Sequence, residues 1–175
     1  GDSDSGDGAG ILCSIPWGYL DEEMNLKNTQ KLNRGLGMIF MPNKKEKIEE
    51  CKSICDEEAE KLKINKTSWR TVPVNNEILG PLAKANAPFI SQWILFIDKR
   101  DNNDIERILF QLRKRIEKKV RESFKNHVGD CEFYFASLSS KTVVYKGMVR
   151  SEILSEFYQD LKKENFKVSF SVYHR

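Results

Sequence analysis

An α+β fold is predicted for this chain of 175 residues, and three features of the sequence carry that expectation. Short apolar runs bounded by Gly and Pro are too short for helices. Two long charged stretches repeat apolar residues three and four apart, and the last stretch alternates apolar with polar side chains. Strand and helix patterns follow one another without the regular alternation of a doubly wound parallel sheet.

The elements follow in order. Gly10 to Ile15, ended by Pro16, and Leu36 to Met41, between Gly35 and Pro42, read as buried strands. Asn43 is placed to cap a helix whose inner stripe is Ile48, Cys51, Cys55, Ala59 and Leu62. Trp69 to Val74 and Phe89 to Ile97 are β-rich, separated by a turn region with Asn75, Asn76, Gly80, Pro81 and Pro88. A second helix begins after Asp101 to Asp104 and turns Ile105, Ile108, Leu109, Leu112, Ile116 and Val120 inward. Glu132 to Ser137 and Thr142 to Tyr145 flank Leu138 to Lys141 as a hairpin. Ser151 to Lys163 reads as a third helix, and Phe166 to Tyr173 as a closing strand with Phe166, Val168, Phe170 and Val172 alternating.

Composition bounds the function without selecting it. The 39% hydrophobic content over 175 residues suits one packed domain, residues 1–175, and gives no reason for a second. A net charge of +3 from 29 basic and 26 acidic residues, alternating in sign along the helices, argues against a nucleic-acid partner. No apolar run approaches a membrane span, which argues against membrane insertion. Lys exceeds Arg roughly two to one, a bias that AT-rich coding DNA produces and that is typical of plastid genomes and of many bacteria.

Strings spread over the whole length carry a resemblance. They include Gly6-Asp7-Gly8-Ala9-Gly10-Ile11-Leu12, Ile15-Pro16-Trp17, Gly35-Leu36-Gly37-Met38, Trp69-Arg70-Thr71-Val72-Pro73, Phe133-Tyr134-Phe135-Ala136-Ser137, Phe157-Tyr158-Gln159-Asp160-Leu161 and Tyr173-His174-Arg175. In this order they resemble the amino-terminal glutamine amidotransferase domain of the glutamate synthase family, in its ferredoxin-dependent, cyanobacterial and plastid form. The resemblance implies the four-layer αββα sandwich of the N-terminal nucleophile hydrolases. Both ends of the chain read as cut, so the domain is expected to be incomplete at each end.

The chemistry implied by the resemblance starts from a Cys at the first residue of the mature domain, whose thiolate attacks the side-chain amide of glutamine while its α-amino group takes the proton. Ammonia leaves, and water releases glutamate. Residue 1 here is Gly, so the nucleophile is expected upstream of Gly1, and no catalytic residue is assigned within the chain. The Arg that grips the glutamine carboxylate is expected after Arg175, and an Asn-Gly oxyanion hole further on. The isolated chain is therefore expected to be inactive. The resemblance implies FMN and a [3Fe-4S] cluster in the full-length enzyme and none in this fragment, with glutamine, 2-oxoglutarate and ferredoxin as partners. It also implies a plastid stroma, or a cyanobacterial or other bacterial cytoplasm. The reading from a different class is a stand-alone, non-catalytic module with a regulatory or assembly role.

Three residues are candidates for scaffold beside the site: Asp7 and Gly8 in the glycine-rich turn, and His174 next to the glutamine-binding segment. Glycines permit tight turning and close approach, although such a run taken alone reads as a surface turn. No Lys-Ser/Thr follows it, so a phosphate loop is a poor reading. The four cysteines read as free, mostly buried thiols and no metal ligand set, because Cys51 and Cys55 have no second pair at zinc spacing. Cys13, inside a strand and without a free amine, is not the nucleophile. His127 reads as a solvated helix-end residue, and Phe133, Phe135, Phe166 and Phe170 as core.

Overall fold

The computed structural model describes residues 8–26, 33–98, 102–124 and 133–174. It is a mixed α/β structure with two antiparallel sheets and five α-helices among the described residues. The first sheet has the order β6-β1-β7, from β1 (Ala9–Ser14), β6 (Thr142–Gly147) and β7 (Ser171–His174). The second has the order β3-β4-β2-β5, from β2 (Asn33–Met41), β3 (Lys66–Thr71), β4 (Phe89–Ile97) and β5 (Tyr134–Ser139).

Period-two alternation gives β2 and β4 two buried faces. Leu36, Met38 and Phe40 of β2, with Ile90, Ile94 and Phe96 of β4, meet Cys13, Val143 and Tyr145 of the three-stranded sheet in an inter-sheet core. The intervening residues Ile39, Met41, Trp93, Leu95 and Ile97 face helices α2 (Lys45–Lys61) and α4 (Asn102–Ser123) in a second core. Ile105, Leu109, Leu112, Ile116 and Val120 line the inner face of α4 as their spacing predicts, and Ile48, Cys51, Cys55 and Ala59 line that of α2. Each buried Ile, Leu or Val on these faces contributes about 1.5–3 kcal/mol. The layers run from helix pair to four-stranded sheet to three-stranded sheet.

Several local expectations are corrected. α2 starts at Lys45 with Lys44 in the capping position and no side-chain cap bond, so Asn43 stands one residue too early. A short helix α1 (Trp17–Glu23) follows Pro16, where the sequence raised no expectation. Another, α3 (Pro81–Ala85), occupies the turn region. β3 ends at Thr71, and Val74 makes only an isolated bridge, to Tyr158.

The expected hairpin is a crossover between sheets. β5 pairs with β2 and β6 with β1, so the two strands share no ladder. The bend between them is held by α4: the Glu106 carboxylate accepts from the Ser140 backbone N–H at 2.6 Å and from the hydroxyls of Ser139 and Ser140. Val144 N–H finds the Ser137 hydroxyl in place of a ladder carbonyl.

The expected helix over 151–163 is broken into a 3-10 turn, the four-residue α5 (Leu154–Phe157) and a second 3-10 turn. Tyr158 between them is extended, at φ −92° and ψ 102°, because the segment pairs with Pro73 to Asn75: Asn75 N–H bonds Phe157 O and Gln159 N–H bonds Pro73 O. The closing strand is confined to Ser171–His174 at a sheet edge, and Phe170 and Val172 are 49% and 64% exposed, so neither is core. Phe166 and Val168 still pack partly against the inter-sheet core. No helix among the described residues is long and apolar enough to cross a membrane.

Candidate functional site

A cavity of ≈ 840 Å³ opens where the Ala9–Gly147 end of the three-stranded sheet meets the Phe40–Ile90 end of the four-stranded sheet. Gly8 and His174 both line it; Asp7 lies outside the described residues, as do His127, Cys131 and Arg175. Gly8 has φ +111°, a conformation that L side chains rarely adopt. In register, Gly10 stands opposite Lys146 on one side and His174 on the other. A Cβ at Gly10 would lie 2.9 Å from His174 Cε1 and 3.0 Å from Lys146 Cβ, so the bare backbone at this position is what lets the imidazole and the lysine stem close over β1.

The lining is mainly apolar, with Phe40, Ile90, Phe133, Val149 and Phe157 in the walls. Lys146 and His174 bring basic groups, and Lys146 Nζ sits 4.9 Å from the centre of the Tyr134 ring. Among the described residues that line the cavity there is no Cys, Ser or Thr, and no carboxylate. Such walls can hold an apolar or anionic group, but they contain no thiol or hydroxymethyl nucleophile.

The described thiols are inert by position. Cys13 is fully buried in β1, and burial pushes its thiol up to about 11, so it is neutral near pH 7. Cys51 and Cys55 are fully buried in the helix-facing core; burial, with Cys51 and Asp56 adding, holds the Cys55 thiol well above its ordinary value. Among the described residues no three His, Cys, Asp or Glu side chains come together as a metal site.

One polar cluster was not singled out from the sequence. Arg70 of β3 forms a two-pronged pair with Asp160, whose side chain is fully buried. Tyr19 donates to Asp160 Oδ1 at 2.7 Å and Tyr145 to Oδ2 at 3.2 Å; Gln92 donates to Tyr145 and accepts from Arg70. Burial opposes the Arg70 charge, yet the bonds to Asp160 raise its pKa further above the ordinary value. Burial also pushes the Tyr145 phenol well up, reinforced by the negative Asp160. The network lies one step inside the cavity: Gln92 is two residues along β4 from Ile90, Tyr145 two along β6 from Gly147, and Tyr158 donates to the Lys146 carbonyl at 2.7 Å. An Asp among aromatic and aliphatic residues, in Phe157-Tyr158-Gln159-Asp160-Leu161, was the available signal, since a buried charge needs a partner.

A family model described as glutamine amidotransferases class-II matches residues 1–175. The chain is 43% identical over 179 residues to ferredoxin-dependent glutamate synthase 1, chloroplastic/mitochondrial, of Arabidopsis thaliana, covering 99% of the chain and 11% of that protein. It is 41% identical over 178 residues to the chloroplastic ferredoxin-dependent glutamate synthase of Oryza sativa subsp. japonica, and 39% over 178 residues to ferredoxin-dependent glutamate synthase 2 of Synechocystis, with the same coverage. The chain thus spans about 11% of the length of the curated relatives it matches.

Proposed function

The chain belongs to the class-II glutamine amidotransferases, and on that premise we propose that it is part of the glutaminase domain of a ferredoxin-dependent glutamate synthase. In this reading the domain hydrolyses glutamine to glutamate and ammonia, and the longer enzyme adds the ammonia to 2-oxoglutarate with electrons from ferredoxin. The observation that carries it is identity of 41–43% to two plant ferredoxin-dependent synthases over 99% of the chain. The stand-alone module has no such support.

The residues present supply scaffold. Asp7, Gly8 and His174 are proposed as scaffold of the site, with the cavity that Gly8 and His174 line as its apolar side. The nucleophilic Cys, the carboxylate-binding Arg and the oxyanion donors are proposed to come from polypeptide outside residues 1–175. The described part of the domain supports three layers, and the outer helix layer of an αββα sandwich is proposed to cover the three-stranded sheet. A [3Fe-4S] cluster does not fit the described residues: Cys13 lies in one core and Cys51 with Cys55 in the other, so no three of the described thiolates can meet on one cluster. The cluster and FMN are assigned to other parts of the full enzyme. A plastid or bacterial cytoplasmic setting accords with relatives named as chloroplastic and with the Synechocystis protein.

The test replaces the matching segment of a full-length ferredoxin-dependent relative with residues 1–175. Glutamine-dependent glutamate formation is the expected result, while the isolated chain should release ammonia from glutamine only at background. A chimera that folds and uses free ammonia but not glutamine would overturn the reading.

A further inference from the structure

We infer that residues 148–163 form a strap that opens and closes one wall of the cavity as a unit, with the Arg70–Asp160 pair as its catch. The segment belongs to neither sheet. Its helical pieces are three or four residues long, too short to be stable by their own hydrogen bonds. It contributes Met148, Val149 and Phe157 to the cavity lining, so its position decides how wide that side stands.

Besides the apolar packing of Val149, Leu154, Phe157 and Tyr158 on the inter-sheet core, its hydrogen-bonded attachments are few and concentrated. Two backbone hydrogen bonds, which together make the Val74–Tyr158 bridge, hold its middle to 73–75: Asn75 N–H to Phe157 O at 2.9 Å and Gln159 N–H to Pro73 O at 3.2 Å. Tyr158 ties it to β6 of the three-stranded sheet through the Lys146 carbonyl. The only carboxylate of the strap that is fully buried, Asp160, takes two bonds from Arg70 and one each from Tyr19 and Tyr145. The strap therefore spans both sheets on side-chain ties, whereas β2 and β4 are locked by a continuous nine-pair ladder. Segments with few ladder bonds open at lower free energy than the sheet core, and here that opening removes Val149 and Phe157 from the cavity wall together.

Hydrogen exchange followed by mass spectrometry, on the 175-residue chain and on a longer polypeptide containing it, tests this without reference to any activity. Amides of 148–163 should exchange faster than those of β2 and β4, by an opening that low urea barely accelerates. Asp160→Asn removes the nearer counter-charge of Arg70, leaving the more exposed Glu23 at 3.6 Å, and should speed exchange in the strap by on the order of a hundredfold, with the strap still ahead of the sheet. Tyr158→Phe is the gentler variant should Asp160→Asn fail to fold, and it should speed the strap by about tenfold at most. Strap and sheet amides exchanging together, in the parent chain or in Tyr158→Phe, would overturn the inference.

Discussion

Arg70 and Asp160, 90 positions apart in the chain, meet through two parallel hydrogen bonds of 2.8 and 2.7 Å beside the inter-sheet core. The pair ties β3 to a segment outside both sheets, and its remaining lone pairs and donors are taken by Tyr19, Tyr145 and Gln92. Removing Arg70 leaves the fully buried Asp160 uncompensated, and removing Asp160 leaves the buried Arg70 with the more exposed Glu23 at 3.6 Å as its remaining counter-charge. Asp160→Leu or Arg70→Met alone should each cost roughly 3–5 kcal/mol in a urea melt. The double variant should lose well under the sum. Additive losses would show that the two groups do not act as a pair.

Gly10 and Gly18 should respond oppositely to Ala. At Gly10 the new methyl meets the His174 ring, the Lys146 stem and, at 3.3 Å, the Tyr145 carbonyl, so β7 or β6 must shift. A loss of about 1–3 kcal/mol is expected. At Gly18, in α1, nothing lies within 4 Å, and replacing a helical Gly should gain up to about 1 kcal/mol. Thermal melts of the two variants check both signs.

The thiols at Cys13, Cys51 and Cys55 should resist an aromatic disulfide reagent at pH 8 and react at once in denaturant. Each is fully buried, and Cys13 does not ionise until about pH 11. Mass spectrometry of the labelled sites separates them from Cys131. Fast native labelling at Cys13 would contradict its placement between the sheets.

Acid should weaken the contact between α2 and α4 through Glu58. Burial alone would raise its pKa, but Lys61 and Arg115 of α4, whose Nε lies 2.8 Å from the Glu58 carboxylate, lower it below the ordinary 4.5. A carboxylate with a lowered folded pKa stabilises above its unfolded value and loses that contribution as pH falls through the folded one. Glu58→Gln should therefore cost stability at pH 7 and narrow its difference from the parent chain below about pH 4.5, measured by urea melts across pH. A constant difference across that range would refute the assignment.

Much of the fold was legible because both long helices and the two central strands carry complete periodic patterns. Ile105 to Val120 and Ile48 to Ala59 are buried as their spacing requires, and Phe89–Ile97 is a strand throughout. The family was legible too, since ordered motifs do not depend on geometry. Pairing was not. Leu138 to Lys141 looks like any hairpin turn, and only Glu106, more than thirty residues earlier, bends it between two sheets. Residues 151–163 have helical composition, but the backbone groups of 73–75 and the charge on Arg70 outbid local helix formation at Tyr158. Gly8 and His174 were named from sequence, while the cavity they share and the Arg70–Asp160 catch below it arise from distant segments brought together. Local periodicity determined which residues turn inward; which strand each inward face met was decided by long-range hydrogen bonds and buried charge, which a single sequence does not encode by position.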